Sequence, residues 1–140
     1  MTERKVAMLV NPASGGGKGA KIAPIAARRL RERGIQVTEL TGGSAQQSLE
    51  LAHTAIREGA DALIACGGDG TLHLALQAVA ETEVPLGLIP VGTGDDNART
   101  LRIPRKDAAA AADVIADGRT QQIDCGHLEV ANGTARYFLG

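Results

Sequence analysis

Three segments place glycines, hydroxyls and carboxylates where an anionic ligand could be held. They are Asn11-Pro12-Ala13-Ser14-Gly15-Gly16-Gly17, Gly67-Gly68-Asp69-Gly70-Thr71 and Gly92-Thr93-Gly94-Asp95-Asp96-Asn97. Each follows a short apolar run, so each is expected at the carboxyl end of a strand. Three such turns on one edge of a sheet would make a bed of backbone N–H groups suited to phosphate. Gly67, Gly68 and Gly70 are expected to allow positive φ and a close approach of ligand to backbone. Thr71 adds a hydroxyl near a predicted helix N-terminus, where negative charge is favoured. Asp69, Asp96 and Asp124 each fall at or just after the predicted carboxyl end of a strand. Converging carboxylates suit Mg²⁺, which takes oxygen ligands and keeps several waters. Asp124 can equally do no more than end its strand.

Two common nucleotide fingerprints are absent. The P-loop pattern GxxxxGK[ST] fails because Pro12 stands five residues before Gly17 and Gly19 follows Lys18. No stretch reads GxGxxG, which removes the dinucleotide fingerprint. Lys18 and Lys21 can neutralise phosphate or simply end a solvated helix. His73 can donate to a phosphate or face solvent, while His53 and His127 have no ligand-like spacing.

The elements that must position these residues are legible as a repeating strand–helix order. Val6–Val10 is a continuous apolar run, as in a strand covered on both faces. A helix is predicted over 18–33, with Ile22, Ile25, Ala26 and Leu30 on one face. Pro24 is tolerable near that helix's first turn and would kink it elsewhere. Strands follow at 35–40, 62–66 and 86–89. Ser44 and Gln47 have capping-box spacing ahead of a helix stopped by Gly59, and a further helix is predicted over 70–80. Asp107 can cap an alanine-rich helix ending before Gly118. Residues 120–131 and 134–139, split by Asn132-Gly133, read as a β-hairpin with a two-residue turn. This order predicts an α/β fold, a parallel sheet with helices on both faces in three layers, ending in a β-hairpin.

Composition narrows the classes. The 140 residues make one domain by length, with 15 basic against 16 acidic residues, so no basic field draws the whole domain to nucleic acid or membrane. Tyr137 and Phe138 are the only aromatics, which disfavours readers that stack bases on aromatic side chains. No nucleic-acid partner is expected. Cys66 and Cys125 lack zinc or redox spacing and read as buried free thiols, in keeping with a reducing cytoplasm. No signal-peptide h-region follows Met1, and no apolar run has membrane-spanning length.

The blocks NPxSGxxxG at 11–19, GGDGT at 67–71 and PLGxIPxGTxxD at 85–96, in this order, resemble the diacylglycerol kinase catalytic domain family. That family includes sphingosine kinases and bacterial lipid kinases and is related to NAD kinases. The resemblance implies an ATP-dependent lipid kinase with Mg²⁺, and a fold of the NAD kinase/diacylglycerol kinase N-terminal domain type. It implies that Asn11, Pro12, Ala13, Ser14, Gly15, Thr41, Gly67, Gly68, Asp69, Gly70, Thr71, Leu72 and His73 contact ATP, with Thr93 and Gly94 reaching the phosphates. It also implies a water-mediated Mg²⁺ network of Asp69, Asp96 and Asp124, the last in the Ile123-Asp124-x-Gly126 context. The chain departs from the family pattern at His73-Leu74-Ala75, Asp95 and Asn97.

In that family the lipid-acceptor pocket, a structural metal site and the general base lie in a following β-rich domain. They are expected beyond Gly140, so no catalytic residue is assigned within 1–140. Residues 1–140 are expected to bind ATP weakly and not to turn over lipid alone. The reading is of a cytoplasmic protein, peripheral to a membrane in a longer chain, with a homodimer left open. An NAD kinase-like enzyme and a non-catalytic nucleotide-sensing module are the alternatives.

Overall fold

The computed structural model describes residues 4–11, 17, 19–80, 82–91, 108–117, 120–124 and 134–138. Its elements in chain order are β1 (Lys5–Val10), α1 (Gly19–Glu32), β2 (Gln36–Leu40), α2 (Ala45–Arg57), β3 (Ala62–Gly67), α3 (Asp69–Val79), β4 (Leu86–Pro90), α4 (Ala108–Asp117), β5 (Thr120–Asp124) and β6 (Thr134–Phe138). They build one six-stranded sheet in the order β2-β1-β3-β4-β6-β5. The first four strands are parallel, β6 runs parallel to β4, and β5 is antiparallel to β6.

The apolar runs at Val6–Val10 and Ala62–Cys66 are buried throughout, because both faces of the sheet are covered. Alternate residues enter two separate cores. Ala7, Leu9, Leu63, Ala65, Leu86 and Leu88 pack under α2 and α3. Val6, Met8, Val10, Ile64, Cys66 and Ile89 pack under α1 and α4 on the other face. The result is the three-layer sandwich expected from the element order.

Helix α1 buries Ala23, Ala26, Ala27 and Leu30, an i, i+3, i+4, i+7 stripe. Ile25 was expected on that stripe but is 53% exposed. At 100° per residue it lies a full step off the alanines, whose small side chains let α1 sit close to the sheet. Pro24 lies in the second turn, past the tolerant first one. The carbonyl it leaves unbonded belongs to Ala20, and both residues are exposed, so water can satisfy it. Gly34 and Gly59 end α1 and α2 with φ of 82° and 96°, the left-handed geometry that glycine adopts without a Cβ penalty.

Ionic contacts join the two helices of one layer. Asp113 on α4 accepts from Arg29 Nε at 2.8 Å and from Arg33 Nη1 at 2.9 Å. These guanidiniums hold the Asp113 carboxyl below the usual carboxylate range, Arg29's hydrogen bond contributing most. Arg4 donates to the carbonyls of Ala116 (3.1 Å) and Ile115 (3.4 Å), placing a cation at the negative end of α4.

The terminal pair forms with a register that differs from the expected tight hairpin. Thr134 faces Asp124, not Ala131, the partner that a two-residue turn at Asn132-Gly133 would give it. Asn132 and Gly133 themselves, like Asp107, lie outside the described residues. Among the described residues, no helix is long and apolar enough to cross a membrane.

Candidate functional site

Strand order decides where a ligand can enter. β1 is flanked by β2 on one side and β3 on the other, so chain direction across the sheet reverses at β1/β3. In open α/β sheets the crevice outside the carboxyl ends of such strands is the binding position. Here Asn11, the residue after β1, donates its N–H to the Cys66 carbonyl at 3.3 Å, and Val91 N, just after β4, donates to Gly67 O at 3.0 Å. The carboxyl ends of β1, β3 and β4 therefore finish side by side.

A cavity of about 500 Å³ opens at this edge. One end is made by Val10, Asn11, Gly70, Thr71, His73 and Leu74; the other by Gly42, Gly43, Ser44, Ala45 and Ser48, with Leu9 between. Two helix N-termini face it, and they differ. At α2 the Ser44 hydroxyl accepts from Gln47 N at 3.1 Å, and the Gln47 side-chain oxygen accepts from Gly43 N. That is the expected capping pair, shifted so that the glutamine reaches one residue further back. At α3 the cap is Gly68, in extended geometry and with no side-chain hydrogen bond. Among the described residues, nothing caps the first N–H groups of α3, which are thus open to a ligand.

Thr71 strengthens this end. It lines the cavity, yet its exposure is 5%, and among the described residues no hydrogen bond engages its hydroxyl. A buried hydroxyl without a partner is costly unless something binds it. Gly70 contributes room: a Cβ there would meet nothing within 4 Å. The positive φ expected at Gly67, Gly68 and Gly70 is not found, since Gly68 has φ −95° and positive φ among the described glycines occurs at Gly17, Gly34 and Gly59. A helix begins directly at Asp69, so the motif works by small size and open N–H groups.

The remaining expected contacts separate into groups. Asn11, Gly70, Thr71 and His73 line the cavity together. Gly67 and Gly68 lead into it, and the Asp69 backbone opens α3. Thr41 is exposed at the same edge, just after β2. Leu72 differs: its side chain is closed in the core and its N–H donates to Gly68 O at 3.1 Å, which leaves it no donor for a ligand. Pro12, Ala13, Ser14, Gly15, Gly16, Lys18, Thr93, Gly94, Asp95, Asp96, Asn97, Cys125 and His127 lie outside the described residues. Cys66 is buried, and burial above all, then the Glu39 charge, pushes its thiol up to about 12.

Of the acidic trio expected around Mg²⁺, Asp96 lies outside the described residues, and the backbones of the other two stand apart. Asp69 follows β3 at the carboxyl edge, whereas β5 runs antiparallel and carries Asp124 to the opposite edge. From the Gly67–Pro90 level to the Asp124–Thr134 level is seven residue steps, four in β4 and three in β6, or roughly 23 Å. Strand direction, which cannot be read from a local motif, separates them. Among the described residues no group of three acidic, histidine or cysteine side chains could hold a metal.

Sequence reasoning missed the second wall. Thr41-Gly42-Gly43-Ser44 is a fourth glycine turn, following β2 as the others follow their strands. A Cβ on Gly42 would lie 2.6 Å from Ser48 N and 2.9 Å from Ser48 Cα, so only glycine fits this approach of loop to helix.

Fold and site together define a doubly wound α/β domain with a crevice at its switch point. The chain belongs to the diacylglycerol kinase catalytic domain family, whose model matches residues 5–128. It is 45% identical over 134 residues to a diacylglycerol kinase of Mycobacterium tuberculosis, covering 96% of this chain and 43% of that protein. It is 33% identical over 138 residues to one of Staphylococcus epidermidis, covering 97% and 42%. A crystal structure of a diacylglycerol kinase from Bacillus anthracis superposes with a TM-score of 0.74 at 25% identity, covering 89% of this chain and 46% of that one. The chain spans less than half the length of these relatives.

Proposed function

We propose that this chain is the ATP-holding domain of a lipid kinase that moves the γ-phosphoryl group of ATP to a lipid hydroxyl, diacylglycerol being the acceptor. The carrying observation is that, among the described residues, the N-terminus of α3 is uncapped and the buried Thr71 hydroxyl beside it has no partner, both lining the crevice at the β1/β3 reversal. Family membership supports the nucleotide and the acceptor class. Phosphoryl transfer depends chiefly on positioning and on neutralising the charge of the phosphates. The α3 N–H groups and Thr71 supply donors for phosphate oxygens, with Asn11, Gly70 and His73 around them. In this reading residues 12–15 and 93–94 belong to the same nucleotide site, as the family resemblance implies. The acceptor pocket, and the base that takes the lipid hydroxyl's proton as the new P–O bond forms and ADP leaves, belong in this reading to a following domain. No step is assigned to Mg²⁺, since Asp96 lies outside the described residues and the backbones of Asp69 and Asp124 stand at opposite edges. Relatives named diacylglycerol kinase weigh against an NAD kinase-like acceptor.

Calorimetric titration of ATP, in Mg²⁺-containing buffer, into the chain and into Thr71→Val tests this. A hydrogen bond to a charged phosphate is worth about tenfold or more in affinity, so Thr71→Val should bind at least that much more weakly. Equal binding by both proteins would remove Thr71 from the site. No binding by the unaltered chain would end the reading.

A further inference from the structure

The two ends of the cavity are chemically unlike, and the difference orients the ligand. Among the described residues, the first N–H groups of α3 and the Thr71 hydroxyl have no acceptor or partner. At the α2 end, Gln47 N and Gly43 N are already engaged by the helix's own cap. Among the described residues Ala45 N and Gln46 N remain without acceptors, so an anion has fewer donors there than at α3. The same end carries a neutral group: the Ser48 hydroxyl, which lines the cavity and has no hydrogen bond among the described residues, although its backbone N–H donates to Ser44 O at 2.9 Å. Gly42 brings the β2 loop against the same residue; a Cβ there would lie 2.5 Å from Ser48 Oγ. The loop therefore passes close to the hydroxyl, which can both donate and accept.

We infer that Ser48 is a binding residue for the sugar of the nucleotide: its hydroxyl bonds a ribose hydroxyl while the triphosphate runs to α3. Apolar Ala45 and Leu9 line the cavity with it. The inference rests on the cavity being the ATP site, and it adds the direction in which ATP lies and the residue that reads its sugar. A ligand with no sugar cannot gain from Ser48, and one lacking the bonded hydroxyl must lose what Ser48 contributes.

Calorimetry on the chain and on Ser48→Ala, with ATP, 2′-deoxyATP, 3′-deoxyATP and inorganic tripolyphosphate, provides the test. The unaltered chain should bind one of the two deoxynucleotides about 3- to 10-fold more weakly than ATP, the size of one neutral hydrogen bond. Ser48→Ala should bind ATP as weakly as that deoxynucleotide, no longer distinguish the two, and keep its affinity for tripolyphosphate. Three results overturn the inference while leaving the ATP site standing: both deoxynucleotides bind like ATP, Ser48→Ala keeps full ATP affinity, or Ser48→Ala weakens tripolyphosphate equally. The comparison of ATP with its deoxy analogues on the unaltered chain holds even if the variant folds poorly. If neither ATP nor tripolyphosphate binds the unaltered chain, the nucleotide reading fails and this one with it.

Discussion

Gly42 and Ser48 are in such close contact that a single methyl group on Gly42 would lie 2.5 Å from Ser48 Oγ and 2.6 Å from Ser48 N. Because backbone atoms are among those struck, no rotamer change relieves the clash. Gly42→Ala should cost about 1–3 kcal/mol, the range for overpacking in a well-filled place. Urea denaturation should show a lower midpoint at unchanged slope. An unchanged midpoint would mean that the β2 loop lies further from α2 than described.

Ser44 closes α2 by accepting from Gln47 N. Ser44→Ala removes that acceptor and should destabilise the chain by about 1 kcal/mol, the usual worth of an N-cap. Ser44→Asp should restore most of it, since a carboxylate caps as well and suits the positive helix end. Failure of aspartate to rescue would show that the cap is not what Ser44 contributes.

Acid should weaken the α1–α4 junction. In the folded chain the Asp113 carboxyl is held below its ordinary value, mainly by the Arg29 hydrogen bond and then by Arg33. A depressed folded value gives stability that is present above the unfolded carboxylate value, about 3.9, and is lost as pH falls through the folded one. The stability gap between the unaltered chain and Asp113→Asn should be largest near neutral pH and shrink below about pH 4. The group is partly exposed, so the gap should be small and fall with added salt. A gap that stays constant down to pH 2 would contradict this assignment.

Cys66 should be inert while the chain is folded. Its thiol is pushed up to about 12 by burial, so thiolate is scarce at pH 8 and reagents cannot reach it. Alkylation at pH 8 followed by peptide mapping should leave Cys66 unmodified, with labelling appearing only in denaturant. Labelling of Cys66 in the folded chain would show that the end of β3 opens.

Much of the fold was legible because it rests on local pattern. Val6–Val10 and Ala62–Cys66 read as strands covered on both faces, and Ser44 with Gln47 announces the start of α2. The two sides of the site were unequally legible. Gly67-Gly68-Asp69-Gly70-Thr71 forms a familiar block, but Gly42 matters through Ser48, a contact across a loop and a helix turn that no motif records. Leu72 sits inside the GGDGT neighbourhood yet points into the core, because helical rotation turns it away from Thr71 and His73. The position of Asp124 was hidden for another reason. A residue at a strand's carboxyl end lies at the sheet's carboxyl edge only if the strand runs with its neighbours, and β5 does not.

The Leu86–Tyr137 pairing, the link recorded between β4 and β6, gives the chain a built-in optical reporter. The sequence has one tyrosine and no tryptophan. Near-ultraviolet absorption and emission therefore arise almost wholly from the seam where the terminal strand pair meets the parallel sheet, and a change in that signal can be assigned to the seam without labelling.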